Sequence, residues 1–275
     1  MKKNENTEYI YLGYSCNQDC LFCVTGGQVG AKEYGDVKTH KVVKKITESK
    51  KSGLIFNGGE VTIRKDLAYL AKVASYHGFE NISLLSNGVN LSNFSFSKLL
   101  VESGINKIGV CVYAHTPDLY DELVQRKGHF KKMVEGVHNL FKLRDSLGFD
   151  LEIELKTLVC KPTVNILPEI IDFIIDEFPS PDDMRIHGLC MGGSAIRNAD
   201  KVFFPLSEGR EKIIEAAEKA IKNFNIFNMK QIPPCILGEK KWIKYTHSFE
   251  DQNVVINYNK GRDTYEVEGP NRNKS

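Results

Sequence analysis

The sequence predicts an α/β fold built on a parallel sheet. Three observations carry this. Six short apolar runs alternate with longer amphipathic ones over the first 224 residues. Gly, Pro, Asn and Asp punctuate the junctions. The unusual residues fall just after the apolar runs. Strict strand–helix alternation implies parallel strands joined by right-handed crossovers. Sheet order is not readable from this pattern, and an open sheet and a partial barrel both fit it. In either, ligands belong at the C-terminal ends of the strands.

Taken in order, "EYIYLGYS" (8–15) predicts a strand ending at a cysteine loop, and "HKVVKKITESKK" (40–51) a helix. "GLIFNGGE" (53–60) is a strand running into a Gly-Gly turn. "KDLAYLAKVASYHG" (65–78) has helical apolar spacing with Gly at its end. "NISLLSNG" (81–88) is a strand with an Asn-Gly turn, "FSKLLVESG" (96–104) a helix, and "NKIGVCVYAHT" (106–116) a strand. "PDLYDELVQ" (117–125) opens with Pro and Asp, as helices do. "FKKMVEGVHNLFKLRDSLG" (130–148) is a longer helix and "LEIELKTLVC" (151–160) a strand. "NILPEIIDFIIDEF" (165–178) is a helix in which Pro168 is tolerable only in the first turn. "DMRIHGLCM" (183–191) is the sixth strand and "SEGREKIIEAAEKAIKNF" (207–224) the helix after it. Beyond about residue 225 the alternation stops, and "NVVINYNKGRDTYEVEG" (253–269) reads as a hairpin around Asn259-Lys260-Gly261. The chain therefore divides into an α/β core, 1–224, and an extension, 225–275.

The 275 residues are 41% hydrophobic and 26% charged, ordinary for a globular protein. The net charge of +2, from 37 basic and 35 acidic residues, gives no strong nucleic-acid signal. No run of about 18 apolar residues suggests a membrane span. The start, "MKKNENTEYIYLGYS", lacks the apolar stretch of a secretory signal, so a cytoplasmic location is expected. There, the seven cysteines are expected as thiols or metal ligands rather than disulfides.

"SCNQDCLFC" (15–23) places Cys16, Cys20 and Cys23 in a C-x3-C-x2-C pattern. A structural zinc site usually takes four ligands, as does an ordinary [4Fe-4S] cluster. A dithiol oxidoreductase needs only the Cys20–Cys23 pair and leaves Cys16 unexplained. A cubane held by three cysteines keeps one iron open to a substrate or cofactor. This spacing, with aromatic Phe22 before the last cysteine and its place after the first strand, resembles the signature of the radical S-adenosylmethionine (radical SAM) enzymes.

The resemblance covers residues 8–224 and implies a partial (βα)6 TIM-like barrel. It implies two cofactors, a [4Fe-4S] cluster on Cys16, Cys20 and Cys23, and SAM as the missing fourth ligand. It also implies an electron donor such as flavodoxin or ferredoxin. Gly58, Gly59 and Glu60 match the family's Gly-Gly-Glu motif, which meets the SAM amino group; a bare Gly-Gly-Glu is otherwise a turn. Ser86 and Asn87 close the third strand where relatives often have a small polar residue facing SAM; read alone, they form an Asn-Gly turn. Cys111 stands where relatives often carry a ribose-contacting serine, which is a departure from the pattern. Lys156 matches a basic residue that meets the SAM carboxylate in some relatives; read alone, it is a solvated lysine. "LCMGGSAIRN" (189–198) resembles the segment along which adenine lies.

"QIPPCILGE" (231–239) resembles the start of the auxiliary-cluster, SPASM/twitch-type region of peptide-modifying members, and implies a peptide or protein substrate. No cysteine follows Cys235. That region is therefore expected to be truncated, or Cys235 is a hydrogen-atom donor or a packed thiol. The implied activity is reductive cleavage of SAM to a 5′-deoxyadenosyl radical that takes hydrogen from a substrate. The alternatives are a small metabolite or RNA as substrate, or a non-catalytic iron–sulfur or zinc protein.

Overall fold

The computed structural model describes residues 6–26, 36–238, 240–247, 255–259 and 264–268. Eight parallel strands form one sheet in the order of the chain: β1 (Thr7–Tyr11), β2 (Gly53–Asn57), β3 (Asn81–Ser86), β4 (Lys107–Cys111), β5 (Glu152–Val159), β6 (Asp183–Gly188), β7 (Phe227–Lys230) and β8 (Thr246–His247). Helices α1 (Thr39–Glu48), α2 (Leu67–Tyr76), α3 (Phe94–Glu102), α4 (Pro117–Val124), α5 (His129–Phe141), α6 (Leu167–Glu177), α7 (Gly193–Arg197), α8 (Ala199–Val202) and α9 (Arg210–Asn223) lie in the connections, and α10 (Pro234–Leu237) precedes β8. A strand order that never reverses has no switch point. Right-handed crossovers then place every helix on one face, and the sheet curls away from them as a half-barrel.

The expectation of six strand–helix units is corrected here. Phe227–Lys230 joins β6 in parallel register, His187 opposite Lys230, and Thr246–His247 joins β7. The sheet thus continues past residue 224. The sequence signal failed because β7 is only four residues long, and pairing with β6 rather than local pattern makes it a strand. The expected hairpin at 253–269 falls in part outside the described residues, including its turn at Lys260-Gly261. Val255–Asn259 (β9) and Thr264–Glu268 (β10) pair antiparallel.

The core elements follow the expected periodicities with earlier ends. Pro168 sits in the first turn of α6. Asn93 caps α3 through the Phe96 amide at 3.1 Å. The helix expected over 130–148 ends at Phe141 and continues as a π-type turn, Lys142–Ser146. Two strands end earlier than expected, β1 at Tyr11 and β4 at Cys111, although Leu12 N–H and Val112 N–H still donate to Asn57 O and Lys156 O at 2.8 and 2.7 Å.

The period-2 alternation of each strand separates two faces. Leu54, Phe56, Ile82, Leu84, Ile108, Val110, Ile153, Leu155, Met184 and Ile186 are buried against the helices. The concave face is polar across β4–β7. Lys107 pairs in register with Glu152, Glu154 with Asp183, and Lys156 with Arg185. Glu154 is 2% exposed and sits at the centre. Its carboxylate meets Lys156 Nζ at 2.6 Å, Arg185 Nη2 at 2.7 Å and Lys107 Nζ at 3.6 Å. Burial alone would raise this carboxyl; Lys156, Arg185 and Lys107 outweigh it and hold Glu154 down to about 2. Lys156 is therefore no solvated lysine, since it is 9% exposed and ion-paired.

Glu154→Gln should leave three cations without their shared anion and cost about 3 kcal/mol at pH 7, the low end for breaking a buried pair, by urea denaturation. A carboxylate depressed by folding stabilises above its unfolded value and loses that contribution as pH falls through its folded one. The gap between wild type and Glu154→Gln should therefore close as pH drops from about 4.5 toward about 2. Asp183, raised by burial, offsets part of the slope. A gap that stays constant below pH 4.5 contradicts this account.

Candidate functional site

The loop after β1 carries Cys16, Cys20 and Cys23, and backbone contacts from four directions fix it. Gly59 N–H donates to Gly13 O at 2.9 Å and Glu60 N–H to Ser15 O at 2.8 Å, from the end of β2. Asp19 N–H and Leu21 N–H donate to Val124 O and Leu123 O at the end of α4, at 3.1 and 2.9 Å. Ser194 N–H on α7 donates to Cys23 O at 2.8 Å, and Asn198 Nδ2 to Leu21 O at 3.0 Å. Asn87, at the end of β3, donates from Nδ2 to Asn17 Oδ1 at 2.6 Å.

The glycines of the Gly-Gly-Glu turn have a steric cause in the close approach of another backbone. A Cβ on Gly58 would stand 2.6 Å from Gly13 O, and one on Gly59 only 2.3 Å from Ser15 O. They admit the cysteine loop's own backbone. Both also line the cavity described below, so the turn is shared between loop and cavity.

Glu60 is 3% exposed and its carboxylate accepts four hydrogen bonds, three at Oε1 and one at Oε2. Oε1 accepts from Thr62 N–H at 3.0 Å, Thr62 Oγ1 at 2.6 Å and Ser86 Oγ at 2.9 Å. Oε2 accepts from Asn87 N–H at 2.6 Å. Burial pushes the carboxyl upward, and these donors hold it back. Ser86 and Asn87 are thus brought to Glu60, and through Asn17 to the cysteine loop. They also make the expected turn: Ser86 Oγ accepts from Gly88 N–H at 3.0 Å, and Gly88 has φ +80°.

The three cysteines line one open cavity of about 380 Å³ on the concave, C-terminal side of the sheet. Its wall also includes Gly58, Gly59, Glu60, Ser86, Asn87, Cys111 and Lys156. Every expected site residue but Cys235 is therefore on one surface. Cys235 is exposed on α10, outside that wall. Cys160 is buried against Thr163, Sγ to Oγ1 at 3.5 Å, as a packed thiol. Leu189 and Cys190, from the segment expected to meet adenine, line the cavity, as do residues that sequence reasoning passed over, namely Tyr11, Gln18, Tyr113 and His187. The Asp-x-Arg-x-His alternation of β6 held the signal for His187. Its Nε2 has no partner, and burial with Lys156, Lys230 and Arg185 nearby holds the ring neutral, down to about 3. Phe22, 7% exposed, packs edge-on to Tyr113 with ring centroids 4.6 Å apart.

The donor set fits an iron–sulfur cubane. Among the described residues, no three Cys, His, Asp or Glu side chains gather around one point as a single metal ion requires. A cubane takes its protein ligands one per iron, so its sulfurs need to share a cavity rather than a single centre. Burial raises Cys16 to about 11; burial and then the other two thiols raise Cys20 well above the ordinary range. Bound metal reverses that cost, since a coordinating thiol is deprotonated outright. The cavity volume is also in the range of small-molecule sites, which leaves room for a cofactor beside three sulfurs.

Comparison with known proteins agrees with this geometry. Residues 10–149 match the family model of the Radical SAM superfamily. A probable GTP 3′,8-cyclase from Sulfurisphaera tokodaii is 25% identical over 217 residues, 76% of this chain and 64% of that protein. A 7,8-dihydro-6-hydroxymethylpterin dimethyltransferase from Methanocaldococcus jannaschii is 31% identical over 99 residues, 34% of this chain and 19% of that protein. Among solved structures, Streptococcus suis SuiB bound to S-adenosylmethionine superposes with a TM-score of 0.64 at 14% identity, over 95% of this chain and 63% of that one. The chain thus spans less than two thirds of the length of each of these proteins, 64%, 19% and 63% in turn. Among the described residues, no helix is long and apolar enough to cross a membrane.

Two substitutions test the loop's anchoring in the metal-free protein. Glu60→Gln replaces an oxygen by an amide that faces donors, and should cost about 1–3 kcal/mol in chemical denaturation. A carboxylate that only meets a cofactor would show no such loss. Gly59→Ala should lower iron uptake at least severalfold with all three cysteines intact; full uptake contradicts the close-approach argument.

Proposed function

The chain belongs to the radical SAM superfamily, and we propose that it cleaves S-adenosylmethionine reductively and abstracts a hydrogen atom from a substrate held against the concave wall. The observation that carries this is the common wall shared by Cys16, Cys20, Cys23 and the Gly58-Gly59-Glu60 turn. When bound, the [4Fe-4S] cluster and SAM supply one-electron cleavage of the sulfonium C5′–S bond and a 5′-deoxyadenosyl radical. The residues of the chain hold, orient and exclude water. Cys16, Cys20 and Cys23 hold the cluster. Gly58 and Gly59 bring backbone to the cavity edge beside it. Glu60 fixes Ser86, Asn87 and hence the loop, with the SAM amino group as its cavity-side ligand. Lys156, on the wall two strands beyond β3, is the cation for the SAM carboxylate, with Glu154 as its counter-ion at 2.6 Å. Phe22 and Tyr113 form a dry aromatic edge.

We assign this activity to residues 1–224. The extension, 225–275, carries β7 and β8, which continue the core sheet, and the β9–β10 pair. A peptide or protein is the first substrate class, on the resemblance of the "IPPC" segment. A solved relative, anSMEcpe, is described with bound AdoMet and a Kp18Cys peptide. A second reading, a small anionic metabolite, is favoured by the unpartnered His187 Nε2 and by Lys230 beside it in register. GTP is the first such probe, because the relatives include proteins named for it.

Anaerobic reconstitution should give about four irons per chain, the content of one [4Fe-4S] cluster, with matching sulfide. Dithionite and SAM should then yield 5′-deoxyadenosine. Ala at Cys16, Cys20 or Cys23 should abolish the product and lower iron, whereas Cys160→Ala should keep both. Zinc without sulfide, or full cleavage by Cys20→Ala, would refute the assignment. Stimulation of 5′-deoxyadenosine formation by peptide mixtures but not GTP, or the reverse, separates the two substrate readings.

A further inference from the structure

The turn joining α4 to α5 reads "QRKGHFKK" (125–132), with four cationic side chains and no carboxylate in eight residues. Arg126, Lys127, Lys131 and Lys132 are all exposed. The exposed carboxylates Glu122 and Glu135 stand back along the two helices, and exposed Asp19 lies at the end of α4, its N–H donating to Val124 O at 3.1 Å. The turn is held firmly. Gln125 (φ +55°) and Gly128 (φ +77°) take left-handed backbone. Asp121 accepts from Gly128 N–H and, at 3.0 Å, from Phe130 N–H, so its charge is committed to the turn's own backbone.

This basic turn abuts the cysteine loop through one residue. Gln18 is 2% exposed and lies between Cys16 and Cys20. Its backbone N–H donates to Cys16 Sγ at 3.4 Å, and its Oε1 accepts from Cys20 Sγ at 3.5 Å. Its Nε2 donates to His129 Nδ1 at 3.3 Å. Burial together with Lys132 and Arg126 lowers the His129 pKa, which suits a neutral ring accepting at Nδ1. A half-buried ring in the exposed turn is thus linked through one buried residue to the cysteine loop, the Gln18 backbone N–H reaching Cys16 and its side chain accepting from the Cys20 thiol.

We propose that the α4–α5 turn is the docking surface for an acidic one-electron donor protein, with His129 and Gln18 as a hydrogen-bonded link from that surface to the cysteine loop at Cys16. This rests on the reading of the three cysteines as cluster ligands. The step is balanced: the donor's flavin or iron centre loses one electron, and the centre held by the cysteines gains it. Four like charges on a fixed turn suit fast, salt-sensitive association with an oppositely charged partner rather than tight binding.

The test uses the reconstituted full chain, an acidic flavodoxin as probe, and the triple variant K127E/K131E/K132E, with K72E as a remote control. Two readouts are needed. Direct binding of flavodoxin at low ionic strength should weaken at least tenfold in the triple variant and be unchanged in K72E. Flavodoxin-driven 5′-deoxyadenosine formation should lose at least tenfold in kcat/KM and lose its salt dependence, while the dithionite-driven rate stays within twofold. Unchanged flavodoxin binding in the triple variant overturns the proposal. So does a loss shared equally by the dithionite-driven rate, which would mark a damaged site rather than a docking face. A wild-type protein that fails to cleave SAM with dithionite refutes the functional reading instead, and the binding arm still decides the surface.

Discussion

Two backbone hydrogen bonds, from Gly59 to Gly13 and from Glu60 to Ser15, tie the end of β2 to the cysteine loop. Most of the site depends on that contact. It requires two residues without side chains, and it places Glu60 where one carboxylate can gather Thr62, Ser86 and Asn87. Asn87 then reaches Asn17, beside Cys16. A loop with no regular structure of its own is thereby held in one shape by the ends of β2, β3 and α4 and by α7. Preorganisation of this kind matters because three sulfurs must present a cluster with one position left open.

The fold serves the same end. A strand order without reversal sends every helix to one side and leaves a concave face free of them. That face can be polar only because its charges satisfy one another. Glu154 answers Lys107, Lys156 and Arg185 together. The network keeps cations on the wall of a cavity that would otherwise exclude them, next to the cysteines on its rim. The proposed cluster, cofactor and substrate positions then share one open cavity.

Much of this was legible in the sequence, for identifiable reasons. The cysteine spacing is a local signal, and local chemistry dictates it. The Gly-Gly-Glu turn was legible as a site but not in its steric cause, since the backbone it admits lies more than forty residues earlier in the chain. Lys156 could be placed on a strand, two residues from Glu154 and so on the same face, but the burial of that pair depends on its face being the concave one. The seventh strand was missed because four residues carry too little pattern, and only β6 makes them a strand. Gln18 and His129 gave no sequence signal, because their contact joins segments 111 residues apart.

The central claim is that the three cysteines leave one iron for SAM. The most direct measurement is electron–nuclear double resonance on the reduced, reconstituted protein with SAM labelled by ¹⁵N at the methionine amino group. The account predicts a ¹⁵N hyperfine coupling to the cluster that is absent with unlabelled SAM. A reduced cluster whose spectrum shows no coupling to the label at saturating SAM would contradict it, and would mean that the fourth position is filled by something else.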